Sequence, residues 1–189
     1  MMIPAVVGAL VLVVLLAGIV IYQKRKSQRP EQRLRSAVTD VLSGFLIPSG
    51  DEGEITVEHA LLTHRGIIIV DIKDVEGNIF GSDSMQDWTV ISDERRFTFG
   101  NPQFALYDRL AGVRRIMADI PVTGYVVFTN RGRFNKGQPS DVILLDTLIS
   151  DLKTDGRDKD SSTVRSWQPQ WDLLRETAVT MQVDHLLKS

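Results

Sequence analysis

The sequence contains no cysteine and only three histidines, His59, His64 and His185, in 189 residues. Without thiols there is no disulfide framework, no thiolate zinc or iron–sulfur site and no cysteine nucleophile. Three histidines are too few for a histidine-rich metal cage. Neither a G-x-G-x-x-G stretch nor a Walker loop occurs, and no internal repeat is visible, so the common nucleotide-cradling loops are excluded. Acid is missing from the first 29 residues, which carry Lys24, Arg25, Lys26 and Arg29. The formal net charge is −2, so setting those four cations aside leaves about −6 on the remainder. That balance excludes a generally basic coat for nucleic acid but not a local basic patch. The length suits one globular domain with an appendage.

A long hydrophobic run is present once, from Ile3 to Tyr22, with no charge inside it. About 20 such residues, rising 1.5 Å each, span a hydrocarbon core of roughly 30 Å. A cleaved signal peptide fits less well, because the basic n-region and an A-x-A-like site are both missing. The expectation is a single-span anchor over residues 1–23, contacting membrane lipid through 3–22, then a basic linker over 24–30. Cations on the C-terminal side place the following domain in the cytoplasm, at the inner (cytoplasmic) membrane. That domain is expected over 31–152, with a flexible loop and an amphipathic helix over 153–189.

Within the domain, Pro30 opens a predicted helix to about Phe45, with Leu34, Ala37, Val38, Val41, Leu42 and Phe45 at helical spacing. Glu54–Thr63 reads as a strand, His64-Arg65-Gly66 as a tight turn, and the β-branched run Ile67–Val70 as a buried strand. Short strands follow at Asn78–Ser82, Trp88–Ile91 and Arg95–Phe99. Asn101-Pro102 starts a helix to about Met117, Tyr125–Thr129 is another buried strand, and Val142–Leu145 is a last strand or a helix start. A charged loop over Asp155–Ser162 precedes a helix from about Gln170 to Leu187. The fold class is α/β: a central mixed β-sheet flanked by helices.

Three ionisable residues stand out in this pattern. Glu58 lies inside one strand, Asp71 ends the Ile67–Val70 run, and Lys73 follows on the same strand face by the period of two. Pairing through the His64–Gly66 turn would bring Glu58 near Asp71, so two carboxylates and an ammonium meet at one sheet edge. Hard cations such as Mg²⁺ or Mn²⁺ take oxygen ligands and would be held by Glu58 and Asp71. A metal-activated water, oriented by Lys73, is the chemistry of phosphodiester hydrolysis. A second D-x-K triplet, Asp151-Leu152-Lys153, falls in a predicted helix, where a solvated face is the plainer reading. His59, next to Glu58, could sit beside the metal or contact a phosphate, or it could face the opposite side of the strand.

The stretch Glu58-His59 through Asp71-Ile72-Lys73 resembles the core of the nuclease-related domain (NERD) family. The resemblance continues through Gly77-Asn78-Ile79-Phe80-Gly81, Trp88, Asn101-Pro102 and the strand Tyr125–Thr129, covering roughly 31–150. It implies a restriction-endonuclease-like fold of the PD-(D/E)XK type, with Glu58, Asp71 and Lys73 in the catalytic positions. It also implies a metal-dependent nuclease acting on DNA. The chain departs from the family pattern in three ways. Its two acids are Glu then Asp instead of Asp then Glu. Arg35 stands where the family's first helix carries a glutamate, and Ala105 where a glutamine follows Asn-Pro.

Basic residues cluster at Arg109, Arg114 and Arg115, and again at Arg131, Arg133 and Lys136 around Phe134. Arg109, Arg131, Arg133 and Lys136 are the candidate nucleic-acid contacts, since cations interleaved with an aromatic suit phosphate contact and base stacking. A catalytically inactive tether of the same fold, binding nucleic acid or a partner protein at the membrane, is the alternative. Trp167 and Trp171 read as packing residues of the last helix, which is also the candidate surface for a protein partner.

Overall fold

The computed structural model describes residues 30–50, 53–154 and 162–188. The apolar run 3–22 and the basic linker therefore lie outside the described residues. So do most of the Asp155–Ser162 loop and the side chain of His185. Among the described residues, no helix is long and apolar enough to cross a membrane.

The chain runs α1 (Pro30–Arg35), β1 (Asp40–Ser49), β2 (Gly53–Thr63), β3 (Gly66–Lys73), β4 (Gly77–Phe80), β5 (Asp87–Ile91) and β6 (Arg96–Gly100). There follow α2 (Pro102–Ile116), β7 (Val122–Phe128), β8 (Gly132–Arg133), β9 (Val142–Leu144), α3 (Leu145–Thr154), α4 (Ser162–Ser166) and α5 (Gln168–Lys188). Five strands form a mixed sheet in the order β1-β2-β3-β7-β9, antiparallel from β1 to β3 and parallel from β3 to β9. The fold is α/β, with mixed sheets flanked by helices.

Two expectations are corrected here. The helix predicted to Phe45 stops at Arg35, and the chain enters β1 at Asp40. In β1 Phe45 and Ile47 face one core and Val41 the other, with Gly44 at a positive φ between them, and pairing along the length of β2 makes the segment a strand. The expected single central sheet is accompanied by a second, four-stranded sheet in the order β6-β5-β4-β8. The Val142–Leu145 segment is both things anticipated of it: β9 ends at Leu144 and α3 begins at Leu145.

The faces of the large sheet differ by the parity of β3. Ile67 and Ile69 pack with Leu106, Leu110 and Val113 of α2, with Trp171 and Leu174 of α5, and with the second sheet. Ile68 and Val70 pack on the other side with Leu34 of α1 and Leu148, Ile149 and Leu152 of α3. Each interior β3 residue is thus covered, which is why the run is continuously apolar. Trp171 is buried, as a packing residue would be, and its indole donates to Asp40 at 3.0 Å. The Asp151-Leu152-Lys153 triplet lies on α3, across the sheet from α2.

The β2–β3 turn that aligns these strands depends on Gly66. Its φ is +119°, and a Cβ there would stand 2.1 Å from the Pro121 carbonyl oxygen. That same carbonyl accepts the Ile67 N–H at 2.9 Å. Gly66→Ala is therefore expected to lower stability by about 2 kcal/mol or more, read as a lower midpoint in chemical denaturation. An unchanged midpoint would show that the turn relaxes freely.

Candidate active site

The paired register of β2 and β3 ends with His59 opposite Val70, and Glu58 and Asp71 are the next residues outward. Where the ladder stops, the Glu58 carboxylate takes over as acceptor. Its Oε2 accepts the Ile72 backbone N–H at 2.9 Å, and its Oε1 accepts from Lys73 Nζ at 3.0 Å. Glu58 and Lys73 are each about one-third exposed, 33% and 30%, so the pair opens to solvent.

Asp71 differs. Its side chain is 1% exposed, and its Oδ2 accepts from Nη1 of Arg109 on α2. The other oxygen, Oδ1, is buried with no hydrogen-bond partner among the described residues. Burial pushes the Asp71 carboxyl above the usual carboxylate range. Arg109 opposes that shift, and the nearby Glu58 charge adds to it. Arg109 also donates from Nε to the Thr56 carbonyl at 2.6 Å, so it ties α2 to β2 and β3 together.

The three residues read as catalytic thus lie on one face at one strand end, with Glu58 and Lys73 in contact. Arg109, read as a nucleic-acid contact, lies inside this cluster. Arg131, Arg133 and Lys136 do not. Arg131 is bound by Asp74 and Glu76, at 3.2 Å from Asp74. With Arg133 it lines a cleft of about 530 Å³ beside Gly77 and Arg95 on the second sheet. Lys136 Nζ lies 5.8 Å from the centre of the Phe80 ring, a cation–π contact.

His59 faces away from Glu58, as the alternation of a strand requires. Its Nδ1 is 2.9 Å from Ser43 Oγ, which in turn accepts from Arg35 at 3.2 Å. Arg35 therefore takes part in a chain on the far face of the sheet. Burial holds the His59 imidazole below its ordinary range.

Asn101 caps α2, accepting the Gln103 N–H at 2.9 Å, with Pro102 at the first helical position. Nothing in the sequence pattern singled out Gln103. Gln103 is buried, and its Nε2 donates to Asp83 at 2.7 Å and to the Ser140 carbonyl at 2.6 Å. It pins two loops to the start of the helix that carries Arg109. The Asn-Pro start was the only sequence signal near it.

A family model described as nuclease-related domain, NERD, matches residues 24–129, more than half of the chain. The chain belongs to the NERD family. The match runs from the basic linker to the residue after β7, so it includes Glu58, Asp71, Lys73 and Arg109 and excludes Arg131, Arg133 and Lys136. Membership of this family suggests a nuclease-like function. No curated protein and no solved structure matches the chain.

Proposed function

We propose that this NERD-family protein is a divalent-cation-dependent nuclease that hydrolyses DNA phosphodiester bonds, on a restriction-endonuclease-like fold. We also propose that residues 3–22 anchor it in the inner membrane, with the domain facing the cytoplasm. The observation that carries the catalytic reading is the meeting of Glu58, Asp71 and Lys73 at one strand end, with Asp71 Oδ1 buried and unpartnered. A buried acceptor left without a donor is costly, and a cation is one group that would satisfy it.

The donor set fits a hard ion. Two carboxylates on neighbouring strands, with water and substrate oxygens, suit Mg²⁺ or Mn²⁺, which seldom need a cage of protein ligands. Among the described residues there is no group of three or more His, Cys, Asp or Glu that could hold a metal. Glu58 and Asp71 would hold the ion, which when bound supplies an acidified water and charge neutralisation at the phosphate. The Ile72 N–H fixes the Glu58 carboxylate, so that it need not reorient. The Lys73 ammonium, held at 3.0 Å by Glu58, stabilises negative charge on a phosphate oxygen or orients the attacking water.

A calorimetric titration of Mn²⁺ into the full-length protein tests the reading. Binding is expected for the wild type and its loss, by a factor of about ten or more, for Asp71→Asn. Equal binding by both proteins would remove Asp71 from the metal site. A second reading, the inactive tether, is favoured by the pairing of Asp71 with Arg109, which leaves the cluster of two acids and two bases formally neutral. It predicts salt-sensitive DNA binding without turnover.

A further inference from the structure

Arg109 is the one member of the cluster contributed by a helix, and it is bound on both sides. Its Nε is fixed on the Thr56 carbonyl and its Nη1 on Asp71, and its side chain is only 17% exposed. A guanidinium so placed makes a poor surface contact for a duplex. It makes a strong competitor for a buried carboxylate, because among the described residues no other group donates to the Asp71 carboxylate.

The cluster holds two acids, Glu58 and Asp71, and two bases, Lys73 and Arg109. Glu58 is already satisfied by Lys73 and the Ile72 N–H. A divalent cation entering this neutral group would place two further positive charges beside Arg109 and Lys73. Lys73 borders solvent, which screens its charge, whereas Arg109 shares one buried carboxylate with the incoming ion. One of two events must accompany such binding: Arg109 leaves Asp71, or an anion arrives to compensate. A freed guanidinium has a planar fork of donors that matches two phosphate oxygens.

We propose that Arg109 is a built-in counter-cation for Asp71. A divalent metal ion must displace it, and the displaced guanidinium becomes a ligand for the phosphodiester. The inference rests on the metal-dependent reading above and adds to it a residue that sets metal affinity. It also assigns Arg109 a phosphate-binding role inside the site in place of an outer DNA contact.

The test is Mn²⁺ calorimetry on metal-free, full-length protein at pH 8, comparing wild type, Arg109→Gln and Arg109→Lys. Arg109→Gln is expected to bind Mn²⁺ roughly ten-fold tighter than wild type, within the usual range of coupling between two sites. Arg109→Lys keeps the charge but lacks the fork that holds both Thr56 and Asp71, and should tighten binding by a few-fold. It serves alone if the glutamine variant does not fold. Binding by the folded variants that is no tighter than wild type would overturn the counter-cation role while leaving the metal site intact. Absence of Mn²⁺ binding in every protein would overturn the metal-dependent reading itself and this inference with it.

Discussion

Lys73→Ala is expected to lower Mn²⁺-dependent DNA cleavage by at least about 100-fold while leaving the protein folded. The magnitude is that of removing one positioned acid–base or charge-stabilising group from a reaction centre. The fold should survive because Lys73 contributes little to the core. Its ammonium lies in a pair that is one-third exposed on each side, and such a pair is worth about 1 kcal/mol or less once solvent screening is allowed for. The sheet around it is held by β3 pairing with both β2 and β7, which does not involve the Lys73 side chain. Steady-state cleavage of a plasmid by wild type and variant, with the melting temperature as control, separates the two effects. A variant that melts normally and still cleaves at the wild-type rate would remove Lys73 from the mechanism. Wild-type protein that binds DNA in a salt-sensitive way and never cleaves it would establish the tether in place of the enzyme.

The parts of this site that were legible in the sequence are those set by local periodicity. Glu58, Asp71 and Lys73 share a face because strands alternate, and the β-branched run Ile67–Val70 with a Gly66 turn can hardly form anything except the second half of a hairpin. Arg109 was visible only as a cation on an exposed helix, since its bond to Asp71 joins residues 38 apart through the packing of α2 on the sheet. The same applies to Gln103, whose partners Asp83 and Ser140 lie 20 and 37 positions away. At Asp40–Ser49 local pattern was actively misleading, because Val41 and Phe45 sit at helical spacing but pack into different cores once the segment is a strand. The second sheet was missed for a related reason. Short strands such as Asn78–Phe80 announce their own conformation but not which neighbour will pair with them, and β4 pairs with β8, more than 50 residues later.

Trp88→Ala is expected to cost about 3–5 kcal/mol, the range for deleting a fully buried large aromatic. Trp88 sits on β5 of the second sheet and stacks on Phe128 of β7 in the first, with ring centres 6.1 Å apart. Phe99 and Phe134 meet it edge-on at 6.3 and 6.2 Å, so four rings close the gap between the two sheets. Its indole N–H donates to the Ser82 carbonyl at 3.2 Å, a bond the variant would lose, although that carbonyl also accepts the Met85 N–H at 3.2 Å. Gly81 packs against the ring so closely that a Cβ there would stand 2.3 Å from it, so only glycine fits beside Trp88. At roughly 2–4 °C per kcal/mol for a chain of this size, the melting temperature should fall by about 6–20 °C. Phe128 is also the β7 residue opposite Lys73, so loosening it reaches the end of the strand that carries Lys73. A fall of under about 2 °C would mean that the second sheet is an appendage that melts on its own. In that case Glu58, Asp71 and Lys73 would be held by the five-stranded sheet and α2 without its help.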